Sequence, residues 1–309
     1  MSDLKLFRLQ GGKAEEVKGS ASDLEKPLQN LIENNLEALL GVRFLATEYP
    51  TGKTHGGRID TLGLDENACP VILEYKRSLN ENVINQGLYY LDWLMDHKAE
   101  FWKLAVESLT KEVADAIDWS GPRLICIAGD FTKYDEHAVQ QINRNIELIR
   151  YRRFGDDHLL LEGVNSVSAS GAVTKSTGTK PPTGAPTPKG NWEQEWETWW
   201  PQAPQSKQLY DAVYEFMLTL GDDVQIKFLK QYIAFKRLRN YASVVALKQP
   251  QKLLLNVHLN PDTVEVEPSW MRDVRQIGIW GTGQLELTIQ NLDDLEKAKP
   301  LIRRAYDGG

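Results

Sequence analysis

The sequence of 309 residues is 41% hydrophobic and 26% charged, the proportions of a globular chain long enough for two domains with cores of their own. No run approaches the roughly 18 apolar residues of a membrane span, and the first residues lack the apolar stretch of a signal peptide. Only two cysteines occur, Cys69 and Cys126, each within an apolar run, so a reduced protein of the cytoplasm is expected. The net charge of −7 divides into −8 over residues 1–164 and +1 over the rest; this argues against tight nonspecific binding of nucleic acid and confines any such contact to local features.

In chain order, residues 4–10 and 14–19 read as a small hairpin. The spacing of Leu24, Leu28, Leu31, Ile32, Leu36 and Leu39 predicts a helix over 23–40 that ends at Gly41. Three strands follow at 42–49, 57–64 and 70–77, the last two joined by the turn residues Asp65, Glu66 and Asn67. Amphipathic helices are expected at 80–97 and 99–117, a buried strand at 123–129, a short helix at 135–143, and closing strands at 146–154 and 158–164. This order describes a mixed α/β domain over 1–164, with helices on both sides of its sheet. Residues 165–191 are rich in Ser, Thr, Gly and Pro and read as a flexible linker. Beyond them, 192–309 reads as a smaller α+β domain. It has a Trp-rich helix whose Trp192, Trp196 and Trp199 or Trp200 form a core stripe, a helix at 206–221, antiparallel strands at 232–238, 241–248, 252–259 and 281–289, and a last helix at 291–306.

Charges interrupt the central strands. Ile59, Leu62, Leu64, Val71, Ile72 and Leu73 are apolar on both faces, yet Asp60, Glu74 and Lys76 stand among them. A surface ion pair between Asp60 and Lys76 is the ordinary alternative, but buried carboxylates are costly unless a cation neutralises them. Glu74 and Lys76 share a face, and pairing of the two strands brings Asp60 beside Glu74. Two carboxylates and a lysine so placed suit Mg²⁺ or Mn²⁺, with Asp60, Glu74 and the Tyr75 carbonyl as oxygen ligands and Lys76 orienting or deprotonating a water. Other motifs are decoys. Thr51-Gly52-Lys53-Thr54 lacks the first glycine of a phosphate loop, and the five histidines show no zinc spacing. Lys53 and Arg58 instead form a basic loop suited to DNA. Among Lys227, Lys230, Lys236, Arg237 and Arg239, the aromatic residues Phe228, Tyr232, Phe235 and Tyr241 interleave, a pattern suited to phosphates and stacked bases, or to a solvated strand.

Asp60, thirteen intervening residues and Glu74-Tyr75-Lys76 resemble the signature of the PD-(D/E)XK nucleases. GRIDTLGL and VILEYKR followed by NQGLYYLDWL are similar to the nuclease domain of NucS-type mismatch endonucleases over about residues 20–130. The resemblance implies a restriction-endonuclease-like mixed sheet and a metal-dependent endonuclease acting on DNA in repair or in defence against foreign DNA. It also implies a further metal-binding acid on the preceding helix, Glu25 or Glu33, with Glu25 preferred for its place in the apolar arc although Ser22 and Glu25 also match a capping box. Gln86, with Tyr90 one turn later, matches a glutamine that supports catalysis and the scissile strand. The second domain resembles a small uncharacterised domain found at the C-terminus of bacterial nuclease and restriction proteins, which implies a role in recognition or partner binding. RNA as substrate, a homodimer, and a nuclease fold without turnover that binds nucleic acid or protein stay open as alternatives.

Overall fold

The computed structural model describes residues 4–20, 25–76, 83–167 and 192–308. It divides into two units, Met1–Thr174 and Lys175–Gly309. Of the expected linker, 168–191 lies outside the described residues, while 165–167 continue a strand.

In the first unit, β1 (Leu6–Gln10) and β2 (Lys13–Val17) form the expected hairpin as a separate two-stranded sheet. A seven-stranded mixed sheet holds β3 (Gly19–Ser20), β4 (Val42–Pro50), β5 (Arg58–Asp65), β6 (Pro70–Lys76), β7 (Arg123–Ala128), β8 (Asn145–Phe154) and β9 (His158–Val167). Its order is β3-β8-β7-β6-β5-β4, with β9 also on β8. The β6–β7 and β7–β8 pairs are parallel and need crossovers, which the helices between them supply.

The expected helix over 23–40 is two helices, α1 (Glu25–Asn34) and α2 (Leu36–Leu40). The break is at Asn35, with φ −128°, whose side-chain amide donates to the Leu31 carbonyl at 2.8 Å. Asn competes in this way with the helix's own hydrogen bonds. The apolar stripe runs through the break, and Leu28, Ile32, Leu36 and Leu40 are all buried. The stretch 52–55, expected as loop, is a one-turn helix, α3 (Gly52–His55). Then come α4 (Val83–Asp96), α5 (Lys98–Ser108), α6 (Lys111–Asp115) and α7 (Lys133–Gln140).

Helix α4 packs on β6 and β7, and Gly87 makes this close: a Cβ there would lie 2.4 Å from Leu124 Cδ1. Helix α1 meets the opposite face of β6. At the start of the parallel strands, Arg123 donates to Glu147 at 2.8 and 2.9 Å and to Asp65 at 2.9 Å, in a buried ion triad. Cys69 and Cys126 are buried and not joined in a disulfide.

The second unit begins with α8 (Trp192–Trp199) and α9 (Pro204–Leu218). Its antiparallel sheet comprises β10 (Gln225–Phe228), β11 (Ile233–Lys236), β12 (Asn240–Lys248), β13 (Gln251–Val257), β14 (Met271–Asp273) and β15 (Leu285–Ile289), in the order β10-β11-β12-β13-β15-β14. α10 (Leu292–Asp307) closes it, packed with α9 against the sheet. Trp196 and Trp200 are core residues, as the stripe requires. The whole chain is thus mixed α/β, and no described helix is long and apolar enough to cross a membrane.

Candidate active site

The ladder between β5 and β6 runs from Leu64↔Pro70 to Thr61↔Leu73 and stops there. One step further, the side chains of Asp60 and Glu74 accept the hydrogen bonds that join the two strands. The Tyr75 amide donates to Asp60 Oδ2 at 2.9 Å, and the Asp60 amide donates to Glu74 Oε1 at 3.2 Å. Each carboxylate thus holds the other strand's backbone where the two strands part. Beyond this fork β6 stays paired with β7 alone, through Glu74↔Cys126 and Lys76↔Ala128. Ile72, Glu74 and Lys76 face α4, while the Tyr75 hydroxyl lies 3.4 Å from Thr61 Oγ1 on the α1 side. The fork lies at the carboxyl end of β6, the end at which open α/β sheets bind ligands.

Glu74 is wholly buried, and among the described residues its Oε2 has no hydrogen-bond partner. Burial first, and then the Asp60 charge, raise its pKa to about 9 against the opposing pull of the Asp60 amide and of Lys76. A neutral carboxylic acid is the favoured form at pH 7, and an unpaired buried oxygen is what an added cation would satisfy. Among the described residues no three His, Cys, Asp or Glu side chains gather as a metal-binding group. The fork supplies two carboxylates, a donor set that fits Mg²⁺ or Mn²⁺ completed by backbone, water and substrate oxygens.

The other candidates lie around this fork. Lys76 is half-buried on β6. Glu25 is the first residue of α1, and its side chain lies outside the described residues. Glu33, two turns on, is turned to the far face, where it accepts from Thr61 Oγ1 at 2.6 Å and Gln29 Nε2 at 2.9 Å. On α4, Gln86 Nε2 donates to the Tyr90 hydroxyl at 3.2 Å. Tyr90 in turn packs on Gly57, where a Cβ would lie 2.5 Å from that hydroxyl. Lys53 and Arg58 are exposed on the adjoining segment, closed at its neck by Thr51 N–H to Gly57 O at 2.9 Å. In the other unit, Lys236 is buried and Arg237 is exposed, paired with Asp223.

Two residues at the site have no plain signal in the sequence. Gln29 is buried on α1 and donates to the Asp60 carbonyl at 2.8 Å and to Thr47 Oγ1 at 3.1 Å, which ties the helix to the forked strand. Its signal is a polar residue four positions from both Glu25 and Glu33, within an apolar stripe. Glu48 falls opposite Asp60, between the pairs Thr47↔Thr61 and Tyr49↔Ile59, with φ +48°, a conformation rare outside glycine. A hydrogen bond from Lys26 at 2.9 Å holds its carboxyl below the usual range, and Arg58 lies 3.6 Å away. The charge of Glu48 also contributes to the raised pKa of Glu74.

Residues 197–308 match a family model described as a domain of unknown function, DUF5655. A Haemophilus influenzae protein described as uncharacterized is 29% identical over 307 residues, 98% of this chain and 99% of the relative. A solved structure of an EndoMS–dsDNA complex aligns with 44% of this chain and 47% of its own, at 22% identity and a TM-score of 0.24. The chain therefore spans about half of that protein, and a likeness of this size leaves the function to be read from the residues themselves.

Proposed function

We propose that the chain is a metal-dependent DNA endonuclease of the PD-(D/E)XK type, in which the β5–β6 fork hydrolyses a phosphodiester bond. The observation that carries this reading is the Glu74 carboxyl, two residues before Lys76, wholly buried, interlocked with Asp60 and with one oxygen unpaired among the described residues. Asp60 and Glu74 would hold Mg²⁺ or Mn²⁺ with the Tyr75 carbonyl, and Glu25, at the start of α1, would be a further ligand. The bound ion supplies Lewis acidity and charge neutralisation at the phosphate. Lys76 orients the attacking water, or takes its proton when neutral, and offsets charge on the phosphate oxygens. Gln86 and Tyr90, joined by a hydrogen bond, hold the scissile strand, and Lys53 and Arg58 meet the neighbouring phosphates. The role would be DNA repair or defence against foreign DNA.

The test is cleavage of single-stranded, duplex, mismatched and modified DNA, with an RNA control, in Mg²⁺ or Mn²⁺. Wild type is expected to cut at least one substrate, and Asp60→Ala to lose about 100-fold or more of that rate. Equal products from both proteins on every substrate would exclude catalysis at the fork.

One observation favours a second reading, a nuclease fold that binds without turnover: Glu33 is engaged by Thr61 and Gln29 on the far face of the sheet. Calorimetric titration with Mn²⁺ separates the two readings. Binding that disappears in Glu74→Gln supports the enzyme, and its absence in wild type supports the inert module.

A further inference from the structure

The basic stretch of the second unit carries aromatic residues, but the fold puts Phe235 and Tyr241 in the core at 0% and 3% exposure. The exposed aromatic side chain near this stretch comes from another part of the chain. Trp280, between β14 and β15, is 57% exposed.

Its loop is held by buried polar side chains of the sheet. Asn256 Nδ2 donates to the Trp280 carbonyl at 3.2 Å. Ser243 Oγ donates to the Thr282 carbonyl at 2.9 Å, and the Thr282 amide donates to Ser243 Oγ at the same distance. Asn240 Nδ2 reaches Thr282 Oγ1 at 3.0 Å. Asn240, Ser243 and Asn256 are at most 1% exposed. Gly281 has φ +94°, and a Cβ on it would lie 2.4 Å from Ser243 Oγ, so the loop lies as close to the strand as backbone allows.

Polar residues inside a small core are destabilising unless they are paired, and here their partners are the loop. The result is an immobilised loop that leaves a large apolar ring in water, the arrangement of a preorganised recognition residue. The bond from Asn240 to Thr282 also sets this loop beside the turn that precedes β12, which carries exposed Arg237 and half-buried Arg239. Asp223 offsets part of the Arg237 charge.

We propose that the Trp280 loop and the Arg237–Arg239 turn form a binding site for single-stranded nucleic acid. The Trp280 indole stacks on an unpaired base, and the arginines meet the adjoining phosphates. Bases in a duplex are already stacked on one another, so the site prefers single strands. The site lies within the second unit and does not depend on the chemistry proposed for the fork.

The test uses the full chain in EDTA, with fluorescence anisotropy of a labelled oligothymidylate and of a duplex of equal length. Trp280→Ala is expected to weaken single-strand binding by about 5- to 150-fold, and Trp280→Phe to stay within about threefold of wild type. Arg239→Gln should lower the salt slope by about 0.7. The melting curve of Trp280→Ala should match wild type, because the ring is exposed. Unchanged binding in Trp280→Ala overturns the proposal, as does an equal loss on the duplex. No oligonucleotide binding by wild type overturns it too and leaves the indole to a protein partner. Asp60→Ala should bind as wild type does, so failure here and failure of the nuclease reading remain distinct results.

Discussion

Replacing Glu74 by Gln should stabilise the metal-free protein, and the gain should depend on pH. The folded state raises the pKa of Glu74 from 4.5 to about 9 through burial and the charge of Asp60. Between these values the folded protein keeps a proton that the unfolded chain has released. The contribution of this group is therefore fully present below about pH 4.5 and is lost as pH rises toward 9. At pH 7 the loss amounts to about 3 kcal/mol, from the interval between the unfolded pKa of 4.5 and pH 7 at about 1.36 kcal/mol per unit. Glu74 is wholly buried, so solvent screening does not reduce this figure. Gln imitates the protonated acid at every pH and escapes the loss. For a unit of this size, about 3 kcal/mol corresponds to a melting temperature roughly 6–12 °C higher. Scanning calorimetry in EDTA at several values from pH 5 to 9 should show the two proteins converging at the acid end and separating toward the alkaline end. Added Mn²⁺ should then raise the transition of wild type and leave that of Glu74→Gln in place. If the variant melts below wild type at pH 8, or by a constant difference at all pH values, the buried-acid account of the fork is wrong.

Three further outcomes follow from the geometry. Arg123→Met leaves Asp65 and Glu147 buried without their shared cation and should cost about 3–5 kcal/mol, measured by urea denaturation of the first unit. Gly57→Ala places a methyl group 2.5 Å from the Tyr90 hydroxyl and should displace the Gln86–Tyr90 pair, lowering kcat/KM on a cleaved DNA by about tenfold with little change in melting temperature. His258 is half-buried, and its pKa is lowered to about 4 by desolvation and by Arg239. The unfolded chain binds a proton there below about pH 6.5, so the second unit should lose up to about 3 kcal/mol between pH 6.5 and 4, and His258→Gln should flatten that slope in a pH series of melting curves.

What was legible in the sequence depended on local rules. The turn at Asp65–Asn67 sets the register of β5 and β6, and that register carries Asp60 opposite Glu74 without any three-dimensional information. Alternation along β6 likewise separates Tyr75 from Glu74 and Lys76. Helical spacing found the stripe from Leu28 to Leu40, but not the break inside it, because the spacing of apolar residues is blind to one Asn side chain that takes a backbone carbonyl. Glu48 was invisible for a similar reason: nothing about a glutamate in a strand announces a positive φ. Composition suggested stacked bases from aromatic residues interleaved with basic ones, whereas the antiparallel sheet turned Phe235 and Tyr241 into its core and left Trp280, more than forty residues along the chain from Arg237, exposed on a loop.

The fork itself explains why charges can stand in core strands. A continued β5–β6 ladder would leave no room between the strands for side chains to reach the Asp60 and Tyr75 amides. With the ladder ended at Thr61↔Leu73, the same two amides need acceptors, and the side chains of Asp60 and Glu74 provide them. Aliphatic residues at either position would leave a buried amide unpaired, at a cost of about 1–3 kcal/mol each. The carboxylates are therefore required by the backbone even without an ion. That requirement accounts for Asp60 Oδ2 and Glu74 Oε1, the two oxygens that accept the amides. It does not account for Glu74 Oε2, buried and without a hydrogen-bond partner among the described residues, and this surplus oxygen is the one that the proposed cation would satisfy.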